Sequence, residues 1–152
     1  MSETRYTDAE REALAAVLDA IIPASPDGRF PGAGELGIAE TIEREVPQLA
    51  PLVSKALAEL DEIAGASGAA GFAALGAAAR AEALRLHAGR EPGFLPGLVF
   101  QTYTRYYSAP RVVEALGLEP RPPYPKGYEM EQPDLEALLA TVRSGPKRYR
   151  EA

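Results

Sequence analysis

The residues closest to a known chemical motif are Gly32-Ala33-Gly34-Glu35-Leu36-Gly37, which match the GxGxxG pattern of dinucleotide-binding loops. That pattern binds pyrophosphate only when a β-strand ends just before its first glycine, because the turn must present backbone N–H groups at a helix N-terminus. The preceding segment, Pro26 to Pro31, carries two prolines and a glycine and shows no strand pattern. We therefore interpret the motif as a glycine-rich loop leading into a helix, in which glycine permits positive φ and a tight turn.

The chain has one histidine, His87, and no cysteine. This composition excludes disulfides, thiolate nucleophiles, iron–sulfur clusters, thiolate zinc sites and sites with several histidine ligands. His87 could act as a general base if a carboxylate oriented it beside a substrate pocket. The alternative is a histidine placed in the last turn of a helix, next to Gly89, where the helix dipole favours it.

Three acidic residues, Glu40, Glu43 and Glu45, fall on one predicted helix. Paired carboxylates could perform acid–base chemistry or hold a metal, but carboxylate metal sites in helix bundles favour Glu-x-x-His pairs, and the sequence has none. We interpret the three as a solvated face. The sequence therefore predicts no catalytic, cofactor-binding or metal-binding residue in this chain.

Tyrosine and proline are concentrated in the second half of the chain. Three of the seven tyrosines lie between Tyr103 and Pro110, and residues 117–133 hold five prolines and two more tyrosines. Tyrosine is enriched at protein interfaces, and a proline-rich arm is stiff and has no core of its own. An alternative for Tyr103 and Tyr106 is a place in the helix core. The predicted partner interface is Tyr103, Tyr106, Tyr107, Pro110, Pro122, Pro123, Tyr124, Pro125, Tyr128, Arg148 and Tyr149.

The elements that must position these residues are helices. The first begins at Thr7, where Glu10 three residues later completes a capping box, and it stops at Pro23. Apolar residues at helical spacing predict further helices over residues 36–46, 48–64, 77–88 (ending at Gly89), 94–107, 110–116 and 133–142. No segment alternates as a strand does.

The 152 residues suit a single domain. We predict an all-α fold: a compact bundle of about six or seven helices over residues 1–116, with an extended proline-rich arm and a short last helix over 117–152 in the same domain.

The net charge of −6 makes nucleic-acid binding unfavourable. The longest apolar run has six residues, against about 20 for a membrane span, and the N-terminus shows no signal-peptide pattern. We expect a cytoplasmic protein without membrane insertion, periplasmic only if an exported partner carries it.

Three groups of residues resemble the gluconate 2-dehydrogenase subunit 3 family. The first is the opening helix, which runs from Asp8-Ala9-Glu10-Arg11-Glu12-Ala13-Leu14 to Asp19-Ala20-Ile21-Ile22-Pro23, with Pro31-Gly32-Ala33 and Gly37-Ile38 after it. The second is Tyr106-Tyr107-Ser108-Ala109-Pro110 followed by Ala115-Leu116-Gly117. The third is Pro125-Lys126-Gly127-Tyr128, the helix from Leu138 to Arg143, and Arg148-Tyr149-Arg150.

This resemblance implies a non-catalytic small subunit that binds a large flavoprotein of the glucose-methanol-choline oxidoreductase type. The large subunit would hold FAD and oxidise a sugar or polyol, and a cytochrome would often take the electrons. The small subunit would aid folding or export of its partner. Many relatives begin with a twin-arginine export signal, which is not seen at this N-terminus, and Arg105 stands where a smaller residue, often glycine, is usual.

Two other classes of function stay open at this point. The chain could be a stand-alone helical enzyme that acts on a sugar-like metabolite through His87 and nearby tyrosines or carboxylates. It could also be a helical module that binds a small ligand in its core.

Overall fold

The computed structural model describes residues 6–122, 127 and 133–146. These residues form seven α-helices and no strand, which confirms the all-α prediction. The helices are α1 (Asp8–Ile21), α2 (Ile38–Glu45), α3 (Ala50–Ala66), α4 (Ala77–Arg90), α5 (Phe94–Tyr106), α6 (Pro110–Ala115) and α7 (Leu135–Arg143). Three short 3-10 turns lie between them, at Ala33–Leu36, Pro47–Leu49 and Phe72–Ala74. The chain divides into two compact units, residues 1–120 with α1 to α6 and residues 121–152 with α7.

Helix α1 begins with the predicted capping box. The Thr7 hydroxyl accepts from the Glu10 backbone N–H at 3.2 Å, and the Glu10 carboxylate accepts from the Thr7 backbone N–H at 2.8 Å. These two bonds satisfy backbone donors that a helix start otherwise leaves without partners. The helix ends at Ile21, ahead of Pro23 as predicted. Its buried face then becomes the centre of the first unit.

The core of the first unit forms around α1, which contacts α2, α3, α4 and α5. Each of these helices turns one apolar face inward. The largest fully buried side chains include Leu14, Leu18, Ile42, Leu57, Leu60, Phe72 and Phe94. Burying such side chains is the main term that stabilises a helical body of this size.

The glycine-rich segment packs against the end of α1. The backbone N–H of Gly34 donates to Asp19 Oδ1 at 2.7 Å, and a Cβ at Gly34 would lie 2.5 Å from the carbonyl oxygen of Ala15. A Cβ at Gly32 would overlap the Asp19 carboxylate. Positive φ, expected of these glycines, is found in this segment at Gly37 (64°). The glycine-rich motif therefore packs directly against the Asp19 carboxylate, which would repel an anion such as pyrophosphate.

Several predicted helix ends differ from the structure by one or two residues, and two of them have a clear local reason. Gly89 lies inside α4, which continues to Arg90 because the Glu91 backbone N–H bonds to the His87 carbonyl at 2.8 Å. A single glycine costs a helix about 1 kcal/mol, which packing readily offsets. The second helix begins at Ile38 and not at Leu36, since Gly37 has left-handed backbone and interrupts the preceding 3-10 turn.

Helix α6 ends as predicted at a glycine. Gly117 has φ of 81°, and the N–H groups of Gly117 and Leu118 bond back to the carbonyls of Glu114 and Val113. Such left-handed glycine caps satisfy the last carbonyls of a helix. The Arg29 guanidinium adds a bond from Nε to the Ala115 carbonyl at 2.9 Å. The loop before the glycine-rich segment is therefore tied to the end of α6.

In the second unit the structure describes α7 and its flanks. The helix starts two residues later than predicted, at Leu135, because the Asp134 side chain caps it by accepting from the Ala137 N–H at 3.1 Å. Glu136 and Arg143 form an ion pair at 2.8 Å. Across the described parts of both units, no helix is long and apolar enough to cross a bilayer.

Candidate interaction surface

Helix α5 has two faces of different character, and the inner one is set by four-residue spacing. Phe94, Leu98, Thr102 and Tyr106 recur at every fourth position and are all buried. The Thr102 hydroxyl donates to the Leu98 carbonyl at 2.7 Å, so this buried polar group is satisfied inside the helix. The opposite side of α5 must therefore face outward.

Tyr106 belongs to the core, which corrects its place in the predicted interface. Its side chain is 2% exposed, and its hydroxyl donates to the carbonyl oxygen of Pro31 at 2.8 Å. Burial raises the pKa of the Tyr106 phenol, because charge is unfavourable away from water. This bond ties α5 to the loop ahead of the glycine-rich segment and fixes which side of the helix faces the core.

A second tie orients α5 from its flank. Arg105 donates to Glu45 at 3.1 Å and also binds the side chain of Gln101 one turn earlier. The Arg105 side chain is 15% exposed, so it covers the seam between α5 and the end of α2. Arg105 therefore contributes to the body of the protein.

The outward side of α5 displays aromatic rings. Phe100 is 67% exposed and Tyr103 45% exposed, and Tyr107, just after the helix, is 51% exposed. The rings of Tyr103 and Tyr107 lie 5.9 Å apart, and Tyr107 meets Tyr106 edge-on at 5.2 Å. We call this surface the α5 outer face; its members are Pro96, Gly97, Phe100, Tyr103, Thr104 and Tyr107.

The α5 outer face carries no charged side chain. The Thr104 hydroxyl of this face donates to the Phe100 carbonyl at 2.8 Å, and the hydroxyl of the neighbouring Ser108 donates to the Thr104 carbonyl at 2.7 Å. Depletion of charge together with exposed phenylalanine and tyrosine is the composition of the buried centre of protein interfaces. The arrangement is suited to contact with another protein.

The predicted interface residues thus have different outcomes. Tyr103 and Tyr107 are on the α5 outer face, and Pro110 is exposed at the first position of α6. Pro122 is exposed in the second unit. Pro123, Tyr124, Pro125, Tyr128, Arg148 and Tyr149 lie outside the described residues.

Sequence reasoning missed Phe100, the most exposed ring of the set. A signal was present, because Phe100, Tyr103 and Tyr107 recur at three- and four-residue steps, as the members of one helix face do. Choosing that stripe as the outer one required knowing that Tyr106 is held by Pro31.

The candidate general base, His87, is enclosed. Its side chain is 0% exposed, its Nε2 lies 3.0 Å from Glu59 Oε2, and its ring meets Phe94 edge-on at 5.3 Å. Its Nδ1 is buried without a hydrogen-bond partner among the described residues. The carboxylate that an active histidine needs is therefore present, but the ring is closed off from a substrate. The contact between His87 and Glu59 joins α4 to α3.

Lys55 extends this contact to the surface. Its ammonium lies 2.8 Å from Glu91 and 3.6 Å from Glu59. The hydrogen bond between Lys55 and Glu91 lowers the pKa of the Glu91 carboxyl and raises that of the lysine. Lys55 and Glu91 therefore form an ion pair at the surface beside the contact between His87 and Glu59.

The interpretation of the acidic residues of α2 as a solvated face is wrong for Glu43. Its carboxylate accepts from Arg11 Nε at 3.2 Å and from the Tyr6 backbone N–H at 3.1 Å, and its side chain is 12% exposed. Glu40 is exposed as predicted. No group of three or more metal-binding side chains occurs within the described ranges.

Comparison with known protein families gives a match to the model of gluconate 2-dehydrogenase subunit 3 over residues 8–121. The chain belongs to the gluconate 2-dehydrogenase subunit 3 family. The matched region spans α1 to α6 and so includes the whole α5 outer face, whereas α7 lies beyond it. The family description is that of a subunit of a dehydrogenase, which implies a partner. No curated protein and no solved structure matches the chain.

Proposed function

We propose that this subunit 3 family member is a non-catalytic accessory subunit that binds a larger dehydrogenase subunit through the α5 outer face. The partner would be an FAD-dependent flavoprotein of the glucose-methanol-choline type that oxidises a sugar or polyol, with FAD held in the partner. The observation that carries the proposal is a charge-free aromatic surface on a chain whose family is described as a dehydrogenase subunit.

The chemistry of the α5 outer face supports this role. Fully burying one large apolar side chain contributes about 1.5–3 kcal/mol, and aromatic residues near the centre of an interface often dominate its affinity. Phe100, Tyr103 and Tyr107 have few rotatable bonds, so ordering them on binding costs little. Because the face lacks charges, docking leaves no ion of this face to be desolvated.

The contacts of the candidate catalytic groups also support a non-catalytic role. His87 is fully buried, and its ring nitrogen Nε2 already contacts Glu59. The glycine-rich motif is filled by the Asp19 carboxylate. An enzyme that used His87 would need the α3–α4 contact to open before any substrate could reach the ring.

The test is binding to a glucose-methanol-choline type flavoprotein subunit from the same source, co-expressed and purified with this chain. Phe100→Asp should weaken the complex about tenfold or more, because a hot-spot ring is replaced by a charge. Leu86→Asp is the matched control, since Leu86 on α4 is also an exposed apolar residue (41%). This control should change the dissociation constant by less than about twofold.

Circular dichroism and the thermal midpoint should show that both variants are folded. Equal affinity of the two variants would remove the α5 outer face from the proposal. Absence of any complex, or sugar oxidation by this chain alone, would overturn the accessory role itself.

A further inference from the structure

The loop between α1 and α2 is bound to α5 and α6 at three points. Arg29 Nε donates to the last carbonyl of α6 at 2.9 Å, and the Tyr106 hydroxyl donates to the Pro31 carbonyl at 2.8 Å. Glu35 lies 3.4 Å from Arg111 near the start of α6. The loop therefore braces the segment in which α5 ends and α6 begins, next to the exposed rings of the α5 outer face.

The carbonyl that accepts the tyrosine hydroxyl belongs to a firmly anchored residue. Pro31 is buried, and its ring fixes its own φ. Two residues later, the Ala33 N–H donates to the Ile22 carbonyl at 3.0 Å, which ties the segment to the end of α1. The bond from the Gly34 N–H to Asp19 holds the same segment against α1 from its other side. The Pro31 carbonyl is therefore a fixed point of the first unit.

The Tyr106 ring connects this fixed point to the surface. It is held at one end by the backbone of α5 and at the other by its hydroxyl. The Tyr107 ring meets it edge-on at 5.2 Å, with 83° between the ring planes, and the Tyr103 ring lies 5.9 Å from that of Tyr107. Because edge-on packing is a preferred arrangement of aromatic pairs, the buried ring gives the half-exposed Tyr107 a defined orientation.

The other buried hydroxyl of α5 has no such connection. The Thr102 hydroxyl donates to the Leu98 carbonyl within the helix, so its bond ties α5 to nothing outside itself. The bond of Tyr106 instead joins α5 to the loop and is made by the ring on which Tyr107 packs. Rings that are already ordered lose less conformational entropy when a partner covers them.

We propose that Tyr106 is a positioning residue for the α5 outer face. Its hydroxyl, held by the Pro31 carbonyl, fixes the ring against which Tyr107 packs, and it keeps Tyr107 and Tyr103 in the arrangement that a partner protein contacts. The glycine-rich segment then has a part in binding, as the base that holds Pro31 in place. This inference rests on the proposed function.

The experiment removes one hydroxyl from the full chain and measures binding to the co-purified flavoprotein subunit. Tyr106→Phe keeps the ring and should weaken the complex about threefold to tenfold, because the exposed rings must then be ordered on binding. Thr102→Val is the matched control, since it also removes a buried hydroxyl from the inner face of α5. Its dissociation constant should stay within about twofold of wild type.

A second measurement needs no partner. Nuclear Overhauser cross-peaks between the ring protons of Tyr103 and Tyr107 report the contact between these rings. The cross-peaks should lose most of their intensity in Tyr106→Phe and remain in Thr102→Val. Both variants should have a lower thermal midpoint, because each loses one buried hydrogen bond. Cross-peaks that stay unchanged in Tyr106→Phe would show that its bond only stabilises the fold, and the inference would be wrong.

The outcomes separate this inference from the proposed function. If wild type binds the flavoprotein subunit and Phe100→Asp weakens binding, while Tyr106→Phe behaves as Thr102→Val does, Tyr106 has no positioning role and the accessory role stands. If wild type does not bind, the proposed function fails, whereas the cross-peaks still decide whether Tyr106 orders the two exposed rings.

Discussion

Helices α4 and α5 follow one another in the chain and bury comparable inner faces, yet their outer faces differ. The exposed side of α4 carries Glu82, Arg85 and Arg90 around Leu86. Glu82 and Arg85 form an ion pair at 2.7 Å, and the hydrogen bond from Arg85 lowers the pKa of Glu82. The exposed side of α5 carries rings and no charge.

The comparison indicates that solvation alone does not explain the composition of the α5 outer face. If exposed composition followed only from solvation, α5 would resemble α4, because both helices are anchored by their inner sides. Inner anchors on α4 are Leu84 and His87, and on α5 they are Leu98 and Tyr106. Since the inner faces already hold both helices, the rings of α5 are available for a partner.

The largest expected effect tests the division between inner and outer faces of α5. Leu98→Ala should lower the free energy of unfolding by about 3 kcal/mol, because it removes a buried side chain and leaves a cavity. Phe100→Ala should change it by less than about 0.5 kcal/mol. Urea denaturation measures both. A loss above about 1 kcal/mol for Phe100→Ala would mean that the ring is covered inside the protein, and the comparison with α4 would no longer hold.

A smaller effect on stability tests whether the charged side chains on α2 and α4 contribute equally to the free energy of unfolding. Glu43→Ala should cost about 1.5–3 kcal/mol, because the carboxylate is largely buried and bonds both Arg11 and the Tyr6 backbone. Glu82→Ala on the solvated face of α4 should leave the urea midpoint unchanged. Similar losses for both variants would show that the pair between Glu82 and Arg85 on α4 also stabilises the fold. The exposed side of α4 would then no longer be a purely solvated surface with which α5 can be compared.

The smallest effect concerns pH. Hydrogen bonds from Ser54 and from the Thr7 backbone lower the pKa of Glu10 from its ordinary value of 4.5. The stabilisation from ionised Glu10 is therefore complete above pH 4.5 and is lost as the pH falls through the lowered value. The thermal midpoint of wild type should exceed that of Glu10→Gln near neutral pH, and the gap should close in acid.

A matched variant makes that measurement specific. Glu12 is exposed on the same helix and has no hydrogen bond or ion pair among the described residues. Glu12→Gln changes the net charge by the same amount, and its midpoint near neutral pH should equal that of wild type. A gap between wild type and Glu10→Gln that persists unchanged in acid would show that Glu10 acts through something other than its ionised form.

Features that depend on neighbours in sequence could be predicted. Thr7 and Glu10 mark a helix start within one turn, Pro23 follows a helix end, and Gly117 caps α6, because each signal is complete within about four residues. Gly89 shows the limit of such signals, since α4 continues through it to Arg90 and the Glu91 N–H bonds to the His87 carbonyl.

Features that depend on partners far apart in the sequence could not be predicted. His87 meets Glu59 across 28 residues, Glu43 meets Arg11 across 32, and Tyr106 meets Pro31 across 75. No local sequence pattern predicts such pairs. The family was predictable from the order of its motifs, whereas the outward stripe of α5 required knowledge of which tyrosine the body holds.

The contact between Asp19 and the glycine-rich turn has a practical consequence for protein engineering. Residues 23–37 read as a tolerant loop, where a library, tag or graft would ordinarily be placed. Yet any side chain at Gly32 or Gly34 would collide with α1. Gly76, just ahead of α4, has open space around it and an ordinary φ of −71°, so it accepts a side chain more readily. In this protein, tolerance to redesign follows local crowding and not helix content.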